Sequence, residues 1–237
     1  VADEYQQIVE DLAPEAPAAP PDIAAPLLPP ETVPAGYPRP PHDADFRVVY
    51  FDLEIRNSIE SCGGWEGAIS QGGVSALCLW DSIDENAVFY DDHCLDTAAL
   101  HLEDADVVVS FNGKAFDVPL IERHLRRTLH LKEHIDVFEL AKKGLERYGK
   151  PWKGNGLDAL SSKTVHRGKN GVGSHAPQLV AEGHWAELFT YCLRDVVLTR
   201  DLLTFARRNG YIFDKDGQVL PLDVPSWLQL RPGVTPK

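Results

Sequence analysis

Phe46-Arg47-Val48-Val49-Tyr50-Phe51-Asp52-Leu53-Glu54-Ile55 decides how this chain is read. Its β-branched and aromatic residues favour an extended strand. Side chains alternate faces with period two, so Asp52 and Glu54 share a face with Val48 and Tyr50. Two acids on one face of so apolar a strand repel each other and lose hydration when buried. A divalent cation between them removes that cost; a strand with one solvated face would also accommodate them.

Two further stretches add carboxylates. Phe111-Asn112-Gly113-Lys114-Ala115-Phe116-Asp117 follows an apolar strand and opens a helix. Asp117 falls in the first helical turn, where the helix dipole favours an anion, and capping alone would account for it. Gly113 permits a tight strand-to-helix turn, leaving Asn112 and Lys114 near the mouth where the strand carboxylates lie. Further on, Leu188, Tyr191, Asp195, Leu198 and Leu202 step by three and four residues and share one helix face. An acid in that apolar stripe needs an arginine, a hydrogen-bond network or a metal, unless the helix edge lies at the surface. Taken together, the three stretches describe a carboxylate cluster. Two magnesium ions about 4 Å apart, held by carboxylates, are the standard device for phosphodiester hydrolysis. Mg²⁺ (or Mn²⁺) suits an all-Asp/Glu shell, because hard cations prefer oxygen ligands.

The rest of the chain frames these stretches. Strands are expected over Phe46–Ile55, Val74–Trp80, Ala87–Tyr90 and Asp106–Phe111. Helices are expected near Thr97–Glu103, Ala115–Thr128, Val137–Tyr148, Leu157–Lys163 and Trp185–Asn209. A hairpin is expected over Tyr211–Leu222, with Asp214-Lys215-Asp216-Gly217 as its turn rather than a calcium loop. This order implies an α/β fold, a mixed sheet flanked by helices. Residues 1–45 hold 11 of the 18 prolines and read as a flexible Pro/Ala-rich tail, with a short helix over Tyr5–Leu12. The tail could recruit a protein partner or serve as a passive linker.

Composition excludes several classes. No stretch approaches the apolar length of a membrane span, and no basic-then-apolar leader pattern is present. Cys62, Cys78, Cys94 and Cys192 form no C-x-x-C pair, which argues against a zinc knuckle. They are read as reduced, and the chain as cytoplasmic. The net charge of −13 is unevenly divided. Residues 1–110 hold three Lys and Arg against 22 Asp and Glu, and residues 111–237 hold 20 against 14. Arg126, Arg127 and Lys132, within the basic run that continues to Lys169, are therefore candidates for a phosphate-binding surface, although solvated helix faces explain them equally well.

Phe51-Asp52-Leu53-Glu54, Phe111-Asn112-Gly113-x-x-Phe116-Asp117 and Tyr191-x-x-x-Asp195 together resemble the three motifs of the DEDD exonucleases of ribonuclease H-like fold. Thr190 stands where the histidine branch of that family has histidine, so the tyrosine branch is the better match. The similarity extends to the proofreading domain of family B DNA polymerases and its stand-alone bacterial and phage relatives. It is carried further by His134-Ile135-Asp136-Val137, Gly156-Leu157-Asp158-Ala159-Leu160 and Tyr191-Cys192-Leu193-Arg194-Asp195. Ser61-Cys62-Gly63-Gly64-Trp65 and Asn209-Gly210-Tyr211-Ile212 resemble uncharacterised bacterial ribonuclease H-like proteins. The resemblance covers about 46–222, leaving 223–237 as a C-terminal extension with no polymerase domain.

It implies a 3′→5′ exonuclease acting on single-stranded nucleic acid with a free 3′ end, DNA before RNA, in replication or repair. It further implies that Asp52, Glu54, Asp117 and Asp195 hold two metal ions and that Tyr191 orients the attacking water. Leu53, Phe111, Asn112 and Lys114 would meet the substrate strand, with core packing an equal alternative for Leu53 and Phe111. His134 and Asp136 are expected to cap the following helix. A structure-selective endonuclease and a non-catalytic nucleic-acid-binding subunit are the rival expectations.

Overall fold

A computed structural model describes residues 47–168 and 176–229. The proline-rich tail, the helix expected at Tyr5–Leu12, Lys169 and residues 230–237 lie outside them.

Strand β1 (Val48–Ile55) is the middle of a five-stranded mixed sheet of order β3-β2-β1-β4-β5. It pairs antiparallel with β2 (Val74–Asp81), which pairs antiparallel with β3 (Asn86–Asp91). On its other side it runs parallel to β4 (Val107–Ser110), which runs parallel to β5 (His134–Asp136). A central strand covered on both faces must be apolar nearly throughout. Here β1 departs from that only at Asp52 and Glu54, which are half-buried.

Helices cover both faces. On one face Phe51, Leu53 and Ile55 join a core with helices α1 (Trp65–Gln71), α2 (Leu95–Asp104) and α3 (Asp117–Leu125), represented by Ala68, Leu102 and Ile121. Downstream, α4 (Val137–Arg147), α5 (Leu157–Thr164) and α6 (Ala176–Glu182) lead to the 25-residue α7 (Trp185–Asn209), which packs on β1 and β2 from the other face. Gly210 ends α7 in the left-handed conformation, φ 76°, its N–H bonded to the Ala206 carbonyl. The hairpin β6 (Tyr211–Phe213) and β7 (Val219–Pro221) follows. Asp214 accepts N–H bonds from Asp216 and Gln218 and pairs with Lys150, so this carboxylate organises a turn as expected.

The expected elements are present with boundaries shifted by a few residues. Among the described residues α1, β5 and α6 were not expected, nor were the short 3-10 turns at Asp92–Cys94 and Ser226–Leu228. Among the described residues no helix is long and apolar enough to cross a membrane, and all four cysteines are free thiols.

Candidate active site

Strand β4 accompanies β1 only as far as Tyr50 opposite Val109. Beyond that point the parallel neighbour is gone, and the Leu53 N–H meets the Asp117 carboxylate instead, at 3.2 Å. The early end of β4 therefore lets the first residue of α3 take the place of a ladder partner beside Asp52 and Glu54. The Asp117 carboxylate accepts its own N–H at the start of α3 as well as that of Leu53, so it ties two elements together.

The loop that delivers Asp117 is held from a distance. Asp136, at the end of β5, accepts the N–H groups of Asn112 (2.8 Å) and Lys114 (3.1 Å). It also caps α4 by accepting from Phe138 (3.0 Å) and Glu139 (3.4 Å). The left-handed residue of the turn is Asn112, φ 69°, rather than the expected Gly113. Gly113 is required for a different reason: a Cβ there would lie 2.4 Å from the Ser110 hydroxyl.

The face of β1 bearing Asp52 and Glu54 looks toward α7. Ligand atoms of Asp52, Glu54 and Cys192 all lie within 4.8 Å of one another. The Cys192 thiol points at the Asp52 carbonyl oxygen (3.3 Å) and, less closely, at its Oδ2 (3.8 Å). Burial and the neighbouring Cys78, Asp52 and Glu54 push the Cys192 thiol well above its ordinary value, so it stays an S–H donor. Cys78 lies opposite Asp52 on β2, its free thiol hydrogen-bonded to that of Cys192.

Asp195, one turn along α7 from Tyr191, is buried, and Tyr191 is half-buried. Asp117 is raised to about 7, first by burial and further by the charges of Asp136 and Asp195, against the pull of its backbone hydrogen bonds. Carboxylates from β1, α3 and α7 thus converge at one end of the sheet.

The expected substrate residues are more scattered in role. The Leu53 side chain is buried in the core. Phe111 packs on Phe138, ring centroids 5.5 Å apart. Asn112 is anchored through its backbone, and the exposed Lys114 ammonium reaches Glu139 at 3.4 Å. His134 bonds Ser110 at 2.8 Å and is lowered to about 4 by burial and by Lys114. The basic candidates are elsewhere: Arg127 pairs with Glu103 (2.6 Å), Lys132 with Asp106 (3.0 Å), and Arg126 terminates α3, the helix that Asp117 begins.

Sequence reasoning missed two contributors. Cys192 steps with Val196, Thr199 and Leu203 along a second buried stripe of α7, a periodicity that would have placed it near the sheet. The hold of Asp136 on the Asn112–Lys114 loop has no local signal, because its partners lie 24 and 22 residues away.

Residues 75–174 match a family model of the RNase_H superfamily, RNase_H_2. Over that stretch the chain resembles the ribonuclease H superfamily. The chain is 30% identical over 170 residues to DNA polymerase 1 of Aeropyrum pernix, a match covering 63% of this chain and 16% of that protein. Its fold is similar to that of the family B DNA polymerase from the hyperthermophilic archaeon Pyrobaculum calidifontis, with a TM-score of 0.51 and 16% identity. That likeness covers 67% of this chain and 25% of the polymerase. The chain therefore spans a small part of the length of either relative.

Proposed function

We propose that this domain is a metal-dependent 3′→5′ exonuclease of the tyrosine DEDD type, acting on single-stranded nucleic acid, DNA in preference to RNA. The observation that carries the reading is the pair Asp52 and Glu54 on one face of β1, with Asp117 bonded to the Leu53 N–H between them and raised to about 7 by burial and by the charges of Asp136 and Asp195. A carboxyl in that state has more burial and like charge around it than its hydrogen bonds offset. The likeness to two archaeal DNA polymerases supports the same reading.

The residues fit a pair of hard divalent cations, Mg²⁺ or Mn²⁺. Asp52, Glu54, Asp117 and Asp195 would hold them through oxygen, while Cys192, kept protonated, serves as a hydrogen-bond donor to Asp52. When bound, such ions lower the pKa of water and stabilise the charge of the leaving oxygen. The protein's own residues supply position. Tyr191 orients the attacking water from α7. Asn112 and Lys114, on the loop before Asp117, meet the phosphates, and Phe111 packs against the substrate strand. Leu53 acts through its N–H, which fixes Asp117. Water adds to phosphorus, the 3′ oxygen of the shortened strand departs, and a nucleoside 5′-monophosphate is released.

A single-stranded DNA labelled at its 5′ end, incubated with the protein and Mg²⁺ or Mn²⁺, tests this. The expected result is progressive shortening from the 3′ end, slower shortening of RNA, and resistance of a closed circle. Cutting of the circle would replace the reading with an endonuclease. Absence of any metal-dependent product would remove the nuclease assignment.

A further inference from the structure

Resting on that reading, we propose that Trp65 and Trp152 are base-stacking contacts for the single strand. Of the five tryptophans, these two are the most exposed, at 55% and 56%. Leaving so large a ring in water forgoes the stabilisation that its burial would give. Neither belongs to the core cluster built on β1.

Both are nevertheless held in place. Trp65 stands edge-to-face on Phe116, centroids 4.7 Å apart and planes at 78°. Trp152 stands edge-to-face on Phe138, at 6.0 Å and 87°, and Phe138 in turn packs on Phe111 at 5.5 Å. An edge-to-face contact leaves at least one face of the tryptophan uncovered by its partner. Phe111 and Phe116 are the two ends of the loop between β4 and α3, and the residue after Phe116 is Asp117. Trp65 therefore stands directly on the segment that places a proposed metal ligand, and Trp152 reaches that segment through Phe138.

The chemistry of the surroundings selects the occupant. Lys153 follows the second ring directly, and the exposed Lys114, held by a 3.4 Å contact with Glu139, lies on the loop that carries Phe116, whereas Lys150 is taken up by Asp214. Aromatic rings beside basic residues suit a strand whose phosphates need positive charge and whose bases each present a π-face. Such contacts tolerate any base, as an exonuclease that removes successive nucleotides requires.

The experiment compares oligothymidylate with a strand of equal length whose last few 3′ nucleotides lack bases. Trp65→Ala and Trp152→Ala are each expected to raise KM roughly tenfold on oligothymidylate. They should leave KM on the abasic strand unchanged, with kcat retained, and Trp→Phe at either site should restore most of the affinity. An unchanged KM for either alanine variant on oligothymidylate overturns the proposal, as does an equal rise on the abasic strand. Quenching of tryptophan fluorescence by oligothymidylate in EDTA reads stacking without hydrolysis. Quenching by an inactive wild-type protein upholds stacking while removing the exonuclease reading; an active protein whose variants behave like wild type overturns stacking alone.

Discussion

Asp81 and Asp117 are both buried aspartates that touch β1, one beside its beginning and the other toward its end, and the protein treats them oppositely. Asp81 is surrounded by donors: His101 at 2.8 Å, Arg47 at 3.0 Å and the Ile83 N–H at 2.9 Å. Burial pushes its carboxyl up, but these partners outweigh burial and hold it below the usual range. Asp117 is more deeply enclosed by protein, the charges that act on it are those of Asp136 and Asp195, and it is raised to about 7. Burial costs a carboxylate at both places, and the outcome follows from how far its partners offset that cost. At the Asp81 end the chain supplies that compensation itself. At the Asp117 end it assembles acids, an arrangement that a bound cation would complete.

Substitutions should behave differently at the two ends. The largest effect is expected where metal ligands are proposed: Asp52→Ala or Asp195→Ala should lower nuclease turnover by roughly a thousandfold or more. The metal-free protein should melt no lower than wild type, because like-charge repulsion is relieved. Turnover within a few-fold of wild type in Asp52→Ala would break the site assignment.

The second expectation bears on the contrast itself. Asp81→Ala should destabilise the fold by about 1–3 kcal/mol in a denaturant titration, since it removes the buried acceptor shared by His101, Arg47 and the Ile83 N–H. Asp117→Asn keeps an oxygen for the Leu53 N–H and should leave the metal-free protein as stable as wild type, or more so. Equal losses from the two substitutions would erase the distinction.

A pH series separates His134 from both. Its pKa is lowered to about 4 in the folded protein by burial and by Lys114. The unfolded chain takes up a proton near pH 6.5, which the native ring resists until about pH 4. Stability from this residue is therefore fully present above about pH 6.5 and lost as pH falls toward 4, by at most about 3 kcal/mol. In His134→Gln the slope of stability against pH over that window should flatten, whatever the variant's baseline; an unchanged slope would remove His134 as its source.

The smallest effect concerns the basic run. Arg127 and Lys132 are already paired with Glu103 and Asp106, so exposed pairs of this kind contribute about 0–1 kcal/mol. Neutralising Arg126, Arg127 and Lys132 together should leave the salt dependence of KM unchanged. A flattened dependence would bring that end of the molecule into the substrate path.

These outcomes reflect what a sequence displays and what it hides. Helix α7 was legible to its ends, because twenty-five residues of apolar periodicity and a terminal glycine leave little ambiguity. The pairing of Asp52 with Glu54 followed from the period of a strand alone. Helix α1 was not legible: its seven residues are short, follow two glycines and bury only Ala68. Strand β5 has three residues, too few to show alternation. The pairing of Arg127 and Lys132 was not legible, because their partners, Glu103 and Asp106, come from a segment more than twenty residues earlier. Cys192 was passed over because a buried thiol resembles any small apolar residue until its neighbours are known.

The central claim is that Asp52, Glu54, Asp117 and Asp195 together require divalent cations. Calorimetric titration of the metal-free protein with Mn²⁺ tests it most directly, with Asp52→Ala titrated alongside. Two ions bound per chain in the wild type, with at least one site lost in the variant, is the predicted result. No binding in the wild type, or identical isotherms for the two proteins, would contradict it.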